Sequence, residues 1–402
     1  MPIYLDYNAT TPVDTRVLET MLPYLGGTFG NASSIHSAGQ HARAAVDRAR
    51  ESVAALIGAK PAEIVFTSGG TEADNLAIFG ATLGATEAGA SRTGKHVITT
   101  AIEHPAVLNA CQALEKRGVE VTYVHAGSGG IVDPEDVRRA VKRETILISV
   151  MHANNELGTV QPVEEIGRIA AEADVYFHCD AVQSAGKLAI DVNRMGADML
   201  TISAHKIYGP KGVGALYVRS GTPLEPQFFG GHHERDLRPG TENVSGIAGF
   251  GKAAELAGVQ AAGEAEGIGE LRDRLEDALL DSIALVQVNG DRKRRVANTT
   301  NLTFAGAGGE ALLIALDLEG IACSTGAACS SGSVEPSHVL TAIGLSDEEA
   351  RSSLRFSLGR GTTSEEVDRA IAVIPRVVER IRALSPRTLP ARNEGAATVR
   401  SR

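Results

Sequence analysis

The chain has 402 residues and a formal net charge of -10 at pH 7, with 43% hydrophobic and 22% charged residues. This length exceeds the roughly 250–300 residues at which one hydrophobic core stops growing, so we expect two domains. The composition excludes a disordered chain, and the negative charge argues against a nucleic-acid-binding protein. Chemistry on a small molecule is the class of function left open.

The N-terminal sequence MPIYLDYNATTP has a strand-like apolar pattern and lacks the regions of a signal peptide. No apolar run is long enough to span a bilayer, so we expect a cytoplasmic protein with no membrane partner. The four cysteines, Cys111, Cys179, Cys323 and Cys329, form neither a disulfide framework nor a CxxC metal motif. We expect reduced thiols, with Cys111 and Cys179 in the core.

Short β-branched runs alternate with amphipathic stretches up to about residue 200. The predicted strands contain AEIVFTS, KHVITTAIEH, VEVTYVHA, ETILISVMHANNELG and DVYFHCDAVQS, and helical stretches are expected after them, DVNRMGADMLTIS being the last. Strands that are apolar on both faces and separated by helices predict an α/β fold with a mostly parallel, covered sheet. Asp133, Pro134 and Glu135 mark one helix start.

The pattern changes after about residue 250. An alanine- and glutamate-rich helix, GKAAELAGVQAAGEAEGIGELRDRLEDALLDSI, precedes three strand candidates, LVQVNG, NTTNLTF and SSLRFSLG. We interpret this part as a second, smaller α+β domain. The basic run from Arg292 to Arg295 is interpreted as solvated surface. The end of the chain lacks apolar periodicity, which predicts a mobile tail.

One glycine-containing motif follows the first predicted strand of the sheet, at the strand end where ligands bind in open α/β sheets. In TSGGTEADN, Gly69 and Gly70 let the backbone approach a phosphate, and Thr71 opens a helix whose N-terminus attracts an anion. A glycine turn before a helix is more often simple punctuation, and neither GxGxxG nor GxxxxGK[ST] occurs. By itself the motif is a weak phosphate site.

A carboxylate and an amine follow two other apolar runs. Asp180 in HCDAVQS would be costly to bury unpaired, so a positive group should face it; a helix cap or a structural ion pair would explain an isolated Asp. Lys206 in SAHKIYGPKG supplies the second group that pyridoxal phosphate (PLP) requires. The lysine forms a Schiff base with the aldehyde, and the acid keeps the ring nitrogen protonated. Ser203 and His205 could donate to the phosphate.

Six motifs in order resemble the cysteine desulfurases, first group (NifS/IscS-type), of the class V aminotransferase family of PLP-dependent enzymes. They are TSGGTEADN, NNELG, DAVQS, SAHKIYGPKG, RPGTEN and CSTGAACSSGSVEPSHVL, and the resemblance runs from YLDYNATTP to RFSLGRGTT. It implies a PLP-dependent transferase fold (type I), with a mostly parallel seven-stranded sheet in the large domain. The implied division is an N-terminal segment joining the small domain (1–14), a large PLP-binding domain (15–255), a small α+β domain carrying the catalytic cysteine loop (256–386) and the tail (387–402).

The resemblance also implies roles around the cofactor. Lys206 would be the Schiff-base lysine, and Asp180 would pair with the ring nitrogen. Gln183 would hydrogen-bond the ring hydroxyl, while His104 would stack on the ring and assist proton transfer. The phosphate would be held by Gly70, Thr71, Ser203, His205 and, from the neighbouring subunit of a homodimer, Thr241.

A second set of implied roles concerns substrate and sulfur. Asn155, which also counts among the cofactor-binding residues, and Arg355 would bind the substrate carboxylate, Arg355 through a bidentate fork. Cys329 would be the nucleophile that becomes a persulfide; no resident metal is implied, although Cys329 could ligate a transferred iron–sulfur cluster. A free thiol has a pKa near 8.5, so local activation is expected, with His104 as the candidate group. Cys323 is expected to be structural.

Without the resemblance, His104 before a proline would be a helix cap and Arg355 an ion pair at a strand edge. With it, the leading interpretation is a homodimeric enzyme that converts L-cysteine to L-alanine and passes sulfur from Cys329 to an iron–sulfur scaffold or another acceptor protein. Selenocysteine lysis and aminotransfer to a keto acid remain alternatives. A scaffold protein without turnover is a third, and the presence of Lys206, Asp180 and Cys329 argues against it.

Overall fold

The structure, a computed structural model, describes residues 2–87, 95–326 and 335–384, without the side chains of 85–87 and 260–262. The predicted tail at 387–402 lies outside the described residues. The β-strands are β1 Ile3–Tyr4, β2 Ile64–Thr67, β3 His96–Thr100, β4 Glu120–Val124, β5 Thr145–Ser149, β6 Tyr176–Asp180, β7 Met199–Ser203, β8 Gly214–Val218, β9 Val286–Val288, β10 Thr299–Phe304, β11 Ile321–Ala322 and β12 Ser353–Ser357. The α-helices are α1 Thr15–Leu25, α2 Ser37–Leu56, α3 Gly70–Glu87, α4 Pro105–Glu115, α5 Pro134–Ala140, α6 Val163–Glu172, α7 Val244–Ser282, α8 Gly309–Leu318, α9 His338–Ala342, α10 Asp347–Arg351 and α11 Ser364–Leu384.

A seven-stranded sheet in the order β2-β8-β7-β6-β5-β3-β4 is the largest sheet. The pairs from β4 through β7 are parallel, whereas β8 is antiparallel to both β2 and β7. Every residue of β5 and β7 is buried, which explains why these strands are apolar without alternation. The predicted mostly parallel α/β sheet is confirmed.

The path of the chain differs from the predicted alternation at two places. No helix follows β6, because residues 181–198 form turns before β7 begins. The sequence pattern also does not predict β8, which follows β7 after a short turn. Such a short connection permits antiparallel but not parallel pairing, so β8 interrupts the parallel order. Both departures lie next to the strand ends that carry Asp180 and Lys206.

Helix α7 connects the two parts of the core. It begins at Val244, earlier than the predicted helix, because the side chain of Asn243 accepts a hydrogen bond from Gly246 N at 3.1 Å. Its first half contributes Phe250 to the core of the seven-stranded sheet, and its second half contributes Leu275 to the core around β10 and β12. Within the described residues, no helix is long and apolar enough to cross a membrane.

The N-terminal segment is tied to the smaller sheets. Strand β1 pairs in parallel with β11, with Ile3 opposite Ile321, and the antiparallel sheet β12-β10-β9 lies beside this pair. Ser357 N at the end of β12 donates to Leu5 O at 2.8 Å. Residues 6–9 then run from these sheets to the ends of β6 and β7, where they meet the candidate site.

The interpretation of the basic run as solvated surface is wrong for Arg295. Its side chain is 3% exposed and donates to both carboxylate oxygens of Glu276, at 2.6 and 3.0 Å. Glu276 is completely buried in α7, and Thr300 of β10 also donates to it at 2.5 Å. A buried carboxylate of this kind needs such partners, and the pair fastens α7 to the smaller sheet.

We predict that Glu276→Ala lowers the free energy of unfolding by about 3–5 kcal/mol, because it leaves the buried Arg295 guanidinium without its main partner. Chemical denaturation followed by circular dichroism measures the change. Asp277→Ala is the matched control, since Asp277 is 60% exposed and pairs with Arg292 at the surface; it should cost less than about 1 kcal/mol. Equal losses in the two variants would contradict the prediction.

Candidate active site at the ends of the parallel strands

Asp180 and Lys206 lie at the same edge of the seven-stranded sheet. Asp180 is the last residue of β6, and a single 3-10 turn, Ala204–Lys206, follows the last residue of β7. The two strands are parallel neighbours, with Asp180 opposite Thr201. Their carboxyl ends therefore project the carboxylate and the amine to one edge, as the sequence predicts.

The Lys206 amine is set in a partly desolvated position. Its Nζ atom donates to two backbone carbonyls of the N-terminal segment, Asn8 O at 2.5 Å and Ala9 O at 2.9 Å. Burial, helped by the charge of Arg355, lowers the pKa of Lys206 to about 8, against the opposing effects of Asp180 and Asp6. A useful fraction of the amine is thus neutral, and therefore nucleophilic, near neutral pH.

Asp180 is a buried carboxylate without a close cation. One oxygen accepts from Val182 N at 2.9 Å, and no lysine, arginine or histidine nitrogen of the described residues lies within ion-pair distance of it. Burial raises its pKa, while the charges of His104 and Lys206 act in the opposite direction. The positive group that the sequence led us to expect beside Asp180 is not supplied at close range by the described residues.

Sequence reasoning missed two buried residues near Asp180. Asp74 of α3 is buried, and burial together with the charge of Asp180 raises its pKa well above its usual range. His178 of β6 is also buried, between Ser149 Oγ at 2.8 Å and Thr201 Oγ1 at 3.0 Å, and burial lowers its pKa to about 3. Both shifts favour the neutral form. The only sequence signal for Asp74 and His178 is that they lie in the motifs TEADN and HCDAVQS.

His104 is the N-cap of α4, as the simpler interpretation predicts. Its Nδ1 atom accepts a hydrogen bond from Ala106 N at 3.1 Å. Burial lowers its pKa, which favours neutral imidazole. Because Nδ1 is an acceptor in the cap, the proton of the neutral ring is on Nε2. His104 therefore presents an N–H donor rather than a free base.

The predicted phosphate site lies where α3 begins. A Cβ atom placed on Gly70 would be only 2.9 Å from Val182 Cγ2 and 3.7 Å from Ser203 Cβ, so Gly70 allows a close approach of α3 to the turns after β6, beside Ser203. Ser203 Oγ is buried and has no hydrogen-bond partner among the described residues. A free hydroxyl beside a helix N-terminus suits an anion.

The three other predicted phosphate ligands differ from Ser203 in exposure or in hydrogen bonding. Thr71 is exposed in the first turn of α3. His205 lies with Nδ1 3.1 Å from Thr10 Oγ1, and burial lowers its pKa to about 4. Thr241 is exposed, and among the described residues it makes no hydrogen bond to this group. Gly70 and Thr71 lie in the first turn of α3, and Ser203 and His205 lie at and just after the end of β7, whereas Thr241 belongs to neither element.

Arg355 and Asn155 meet on the side of the site that faces the smaller sheet. Arg355 Nη1 donates to Asn155 O at 2.8 Å, and Nη2 donates to Asp6 Oδ1 at 2.6 Å, which confirms the simpler prediction of an ion pair. Arg355 Nε and Asn155 Oδ1 are buried and have no partner among the described residues. These two atoms are available to a polar ligand.

The predicted nucleophile, Cys329, lies outside the described residues. Before it, Cys323 is 8% exposed, and burial with the charge of Asp6 raises the pKa of its thiol to about 12. Such a thiol is a poor nucleophile at neutral pH, consistent with the expected structural role. Cys111 and Cys179 are buried, as expected for core residues.

Glu156 is a further residue that sequence reasoning missed, although it stands in the NNELG motif. It is buried, accepts from Ser337 Oγ at 2.6 Å, and packs so closely on Gly326 that a Cβ there would lie 2.7 Å from Glu156 Oε2. Burial raises its pKa. Glu156 thus contacts described residues on both sides of 327–334, and it follows Asn155 directly.

Comparisons with known proteins agree with this geometry. The family model of class V aminotransferases matches residues 3–370. The cysteine desulfurase IscS of Dictyoglomus turgidum is 50% identical over 384 residues, covering 96% of each chain. A solved NifS-like protein has a TM-score of 0.87 at 37% identity, over 94% of this chain and 100% of its own. The structure described as SspA in complex with cysteine has a TM-score of 0.79 at 40% identity, over 89% and 98%.

The chain belongs to the class V aminotransferase family and, within it, to the cysteine desulfurases. The predicted family is therefore confirmed, and the high TM-scores confirm the fold class that the resemblance implied.

We predict that the reactivity of the Lys206 amine is half-maximal near pH 8 in protein without bound ligand. Asp180→Asn should move this midpoint to lower pH, because the carboxylate stabilises the ammonium form. Arg355→Met should move it to higher pH, because the guanidinium destabilises that form. Labelling with a small amine reagent at a series of pH values, followed by peptide mass mapping, measures each midpoint. Shifts of the opposite sign would contradict the assignment of these electrostatic neighbours.

Proposed function

We propose that the protein is a PLP-dependent cysteine desulfurase that converts L-cysteine to L-alanine and carries the sulfur away as a persulfide on Cys329. The observation that carries the proposal is that Lys206 and Asp180 lie at the same edge of the seven-stranded sheet. Lys206 is a buried amine with a pKa of about 8, and Asp180 is a buried carboxylate without a close cation among the described residues. The names of the relatives favour this reaction over selenocysteine lysis or aminotransfer.

The side chains present fit PLP. Asp180 needs a cation, which a protonated pyridine nitrogen supplies, and the free Ser203 hydroxyl beside the N-terminus of α3 suits a phosphate. We therefore assign the ring nitrogen to Asp180 and the ring oxygen to Gln183. The phosphate is assigned to Gly70, Thr71, Ser203 and His205, with Thr241 contributed by a second subunit.

When bound, PLP supplies an electron sink that stabilises negative charge at the substrate α-carbon. Lys206 would hold the aldehyde of the cofactor, and its free neutral amine would accept the α-proton. Asp180 would keep the ring nitrogen protonated by stabilising the positive charge there. Burial raises the pKa of both Asp74 and Asp180 and lowers that of His178, so a cation at the ring nitrogen would be the group that keeps Asp180 ionised.

Arg355 and Asn155 orient the substrate. The unpartnered Arg355 Nε and Asn155 Oδ1 suit the carboxylate and the amino group of an amino acid, respectively. His104 presents Nε2–H, so we assign to it the stabilisation of the Cys329 thiolate and the donation of a proton, instead of the activation of Cys329 as a base. The contacts of Arg355 and Asn155 select an α-amino acid.

Cys329 completes the reaction. Its thiolate attacks the substrate sulfur, the carbon–sulfur bond breaks, and the carbon keeps the electron pair and takes up a proton. The products are alanine and a persulfide on Cys329. Only two residues stand between Cys329 and Gly326 in the sequence, and Gly326 packs against Glu156. Three peptide units span at most about 11 Å. This distance is compatible with attack at the site next to Asn155.

We further propose a homodimer in the cytoplasm that passes its sulfur to an iron–sulfur scaffold or another acceptor protein. Support for a second subunit comes from the apolar surface, since Phe29, Ile35 and Phe229 are each more than four-fifths exposed. Thr241 is also exposed and therefore accessible to a second copy. Analytical ultracentrifugation tests this part; a fully active monomer would overturn it.

The cofactor assignment predicts that borohydride reduction of the yellow purified protein fixes a pyridoxyl group on Lys206. The neighbouring Lys187 and the exposed Lys211 serve as internal controls and should remain unmodified. Peptide mass mapping locates the group. A label on either control lysine, or protein without cofactor, would show that the site is assigned wrongly.

The sulfur-transfer step predicts that Cys329→Ser binds PLP normally but loses alanine formation by at least about a hundredfold, because a hydroxyl cannot replace a thiolate as sulfur acceptor. Cys323→Ser is the matched control and should lose little activity. Alanine production from L-cysteine without a keto acid, measured together with trapped protein persulfide, tests both variants. Persulfide on Cys323, or inactivation by Cys323→Ser alone, would identify a different nucleophile.

A further inference from the structure

Lys187 is a second amine close to the site, in the turns that follow β6. Its Nζ atom donates to Gln183 Oε1 at 2.9 Å and to Asn8 Oδ1 at 3.1 Å. Burial, together with the charges of Lys206 and Arg355, lowers the pKa of Lys187 to about 7. A buried amine near two other cations is electrostatically unfavourable, so its position calls for a functional explanation.

The two ends of the Gln183 amide are held by different groups. Oε1 accepts from Lys187, and Nε2 donates to Asn8 O at 2.9 Å. If the amide were turned over, Nε2 would face the Lys187 donor and Oε1 would face a carbonyl oxygen. Both contacts would then be repulsive, so the orientation of the amide is determined by its neighbours. The second N–H of Nε2 is the donor left for a ligand.

We propose that Lys187 is a positioning residue that fixes the Gln183 amide so that an N–H, and not the oxygen, faces the ring oxygen of bound PLP. The inference rests on the proposed function, because Gln183 acts on the ring oxygen only if PLP binds as assigned. An N–H donor favours the deprotonated ring oxygen, which accepts the stronger hydrogen bond. Lys187 can donate both of its bonds as an ammonium or as a neutral amine, so the observed orientation is compatible with either charge state, and the Asn8 carbonyl opposes the turned-over amide in both.

A purely structural role for Lys187 predicts something different. Its second hydrogen bond, to Asn8 Oδ1, joins the turns after β6 to the N-terminal segment. If that were its only role, removing the amine would lower stability without changing how the cofactor depends on Gln183. The two possibilities therefore differ in the energetic coupling between Lys187 and Gln183, which a double-mutant cycle measures.

The experiment compares PLP binding to apo-protein prepared from wild type, Lys187→Met, Gln183→Ala and the double variant. Lys187→Met should weaken PLP binding about tenfold and shift the absorption bands of the bound cofactor, because the amide is then held by Asn8 O alone and its oxygen can turn toward the ring. In the Gln183→Ala background the same change should cost less than about twofold. An equal loss in both backgrounds, or a wild-type spectrum in Lys187→Met, overturns the proposal.

Lys252→Met is the matched control, since Lys252 pairs with Glu255 on the surface of α7; its PLP affinity and spectrum should equal those of wild type. Should Lys187→Met not fold, Lys187→Gln replaces it, because the amide keeps a polar group in place but is too short to reach Gln183; the same losses are expected.

If wild type binds no PLP, the proposed function and this inference both fail. If wild type binds PLP and forms alanine but the coupling is absent, only this inference fails.

Discussion

The backbone carbonyl of Asn8 is the acceptor on which the geometry of the site depends. It accepts from Lys206 Nζ and from Gln183 Nε2, while the Asn8 side chain donates to Asn155 O and Thr299 Oγ1. One buried residue thus connects the large sheet, the smaller sheet and the two groups assigned to the cofactor. Because β1 and β12 hold the segment that carries Asn8, the position of Lys206 is set by a strand pairing distant in sequence.

Burial of ionisable groups is the main energetic cost of this arrangement. Lys206, Asp180 and Asp74 all have pKa values displaced toward their neutral forms. The same direction holds for Glu103, which is fully buried with a pKa raised to about 8. Such clusters destabilise a fold and are typical of functional sites, where proton transfer needs groups near neutrality. The core around the seven-stranded sheet supplies the stability that offsets them.

The sequence predicts the sheet and the positions of Asp180 and Lys206 because strand burial and strand ends follow from local apolar patterning. It does not predict the antiparallel strand β8, whose apolar run resembles that of its parallel neighbours. Asp74 and Glu156 were also missed, since their importance comes from burial against residues far along the chain. The domain boundaries and the roles given to the site residues stay predictions, and Cys329 lies outside the described residues.

Arg355 connects substrate binding to the N-terminal segment. Its Nη2 atom donates to Asp6, which is two residues before Asn8. A substrate carboxylate that binds the Arg355 guanidinium must therefore share or displace this ion pair. Asp6 also raises the pKa of Lys206, whereas Arg355 lowers it. If Asp6 moved away as a substrate carboxylate took its place, that carboxylate would supply the compensating negative charge beside Arg355. The electrostatic balance at the amine would then be preserved when substrate binds, which suits a group that must give up and accept a proton in one cycle.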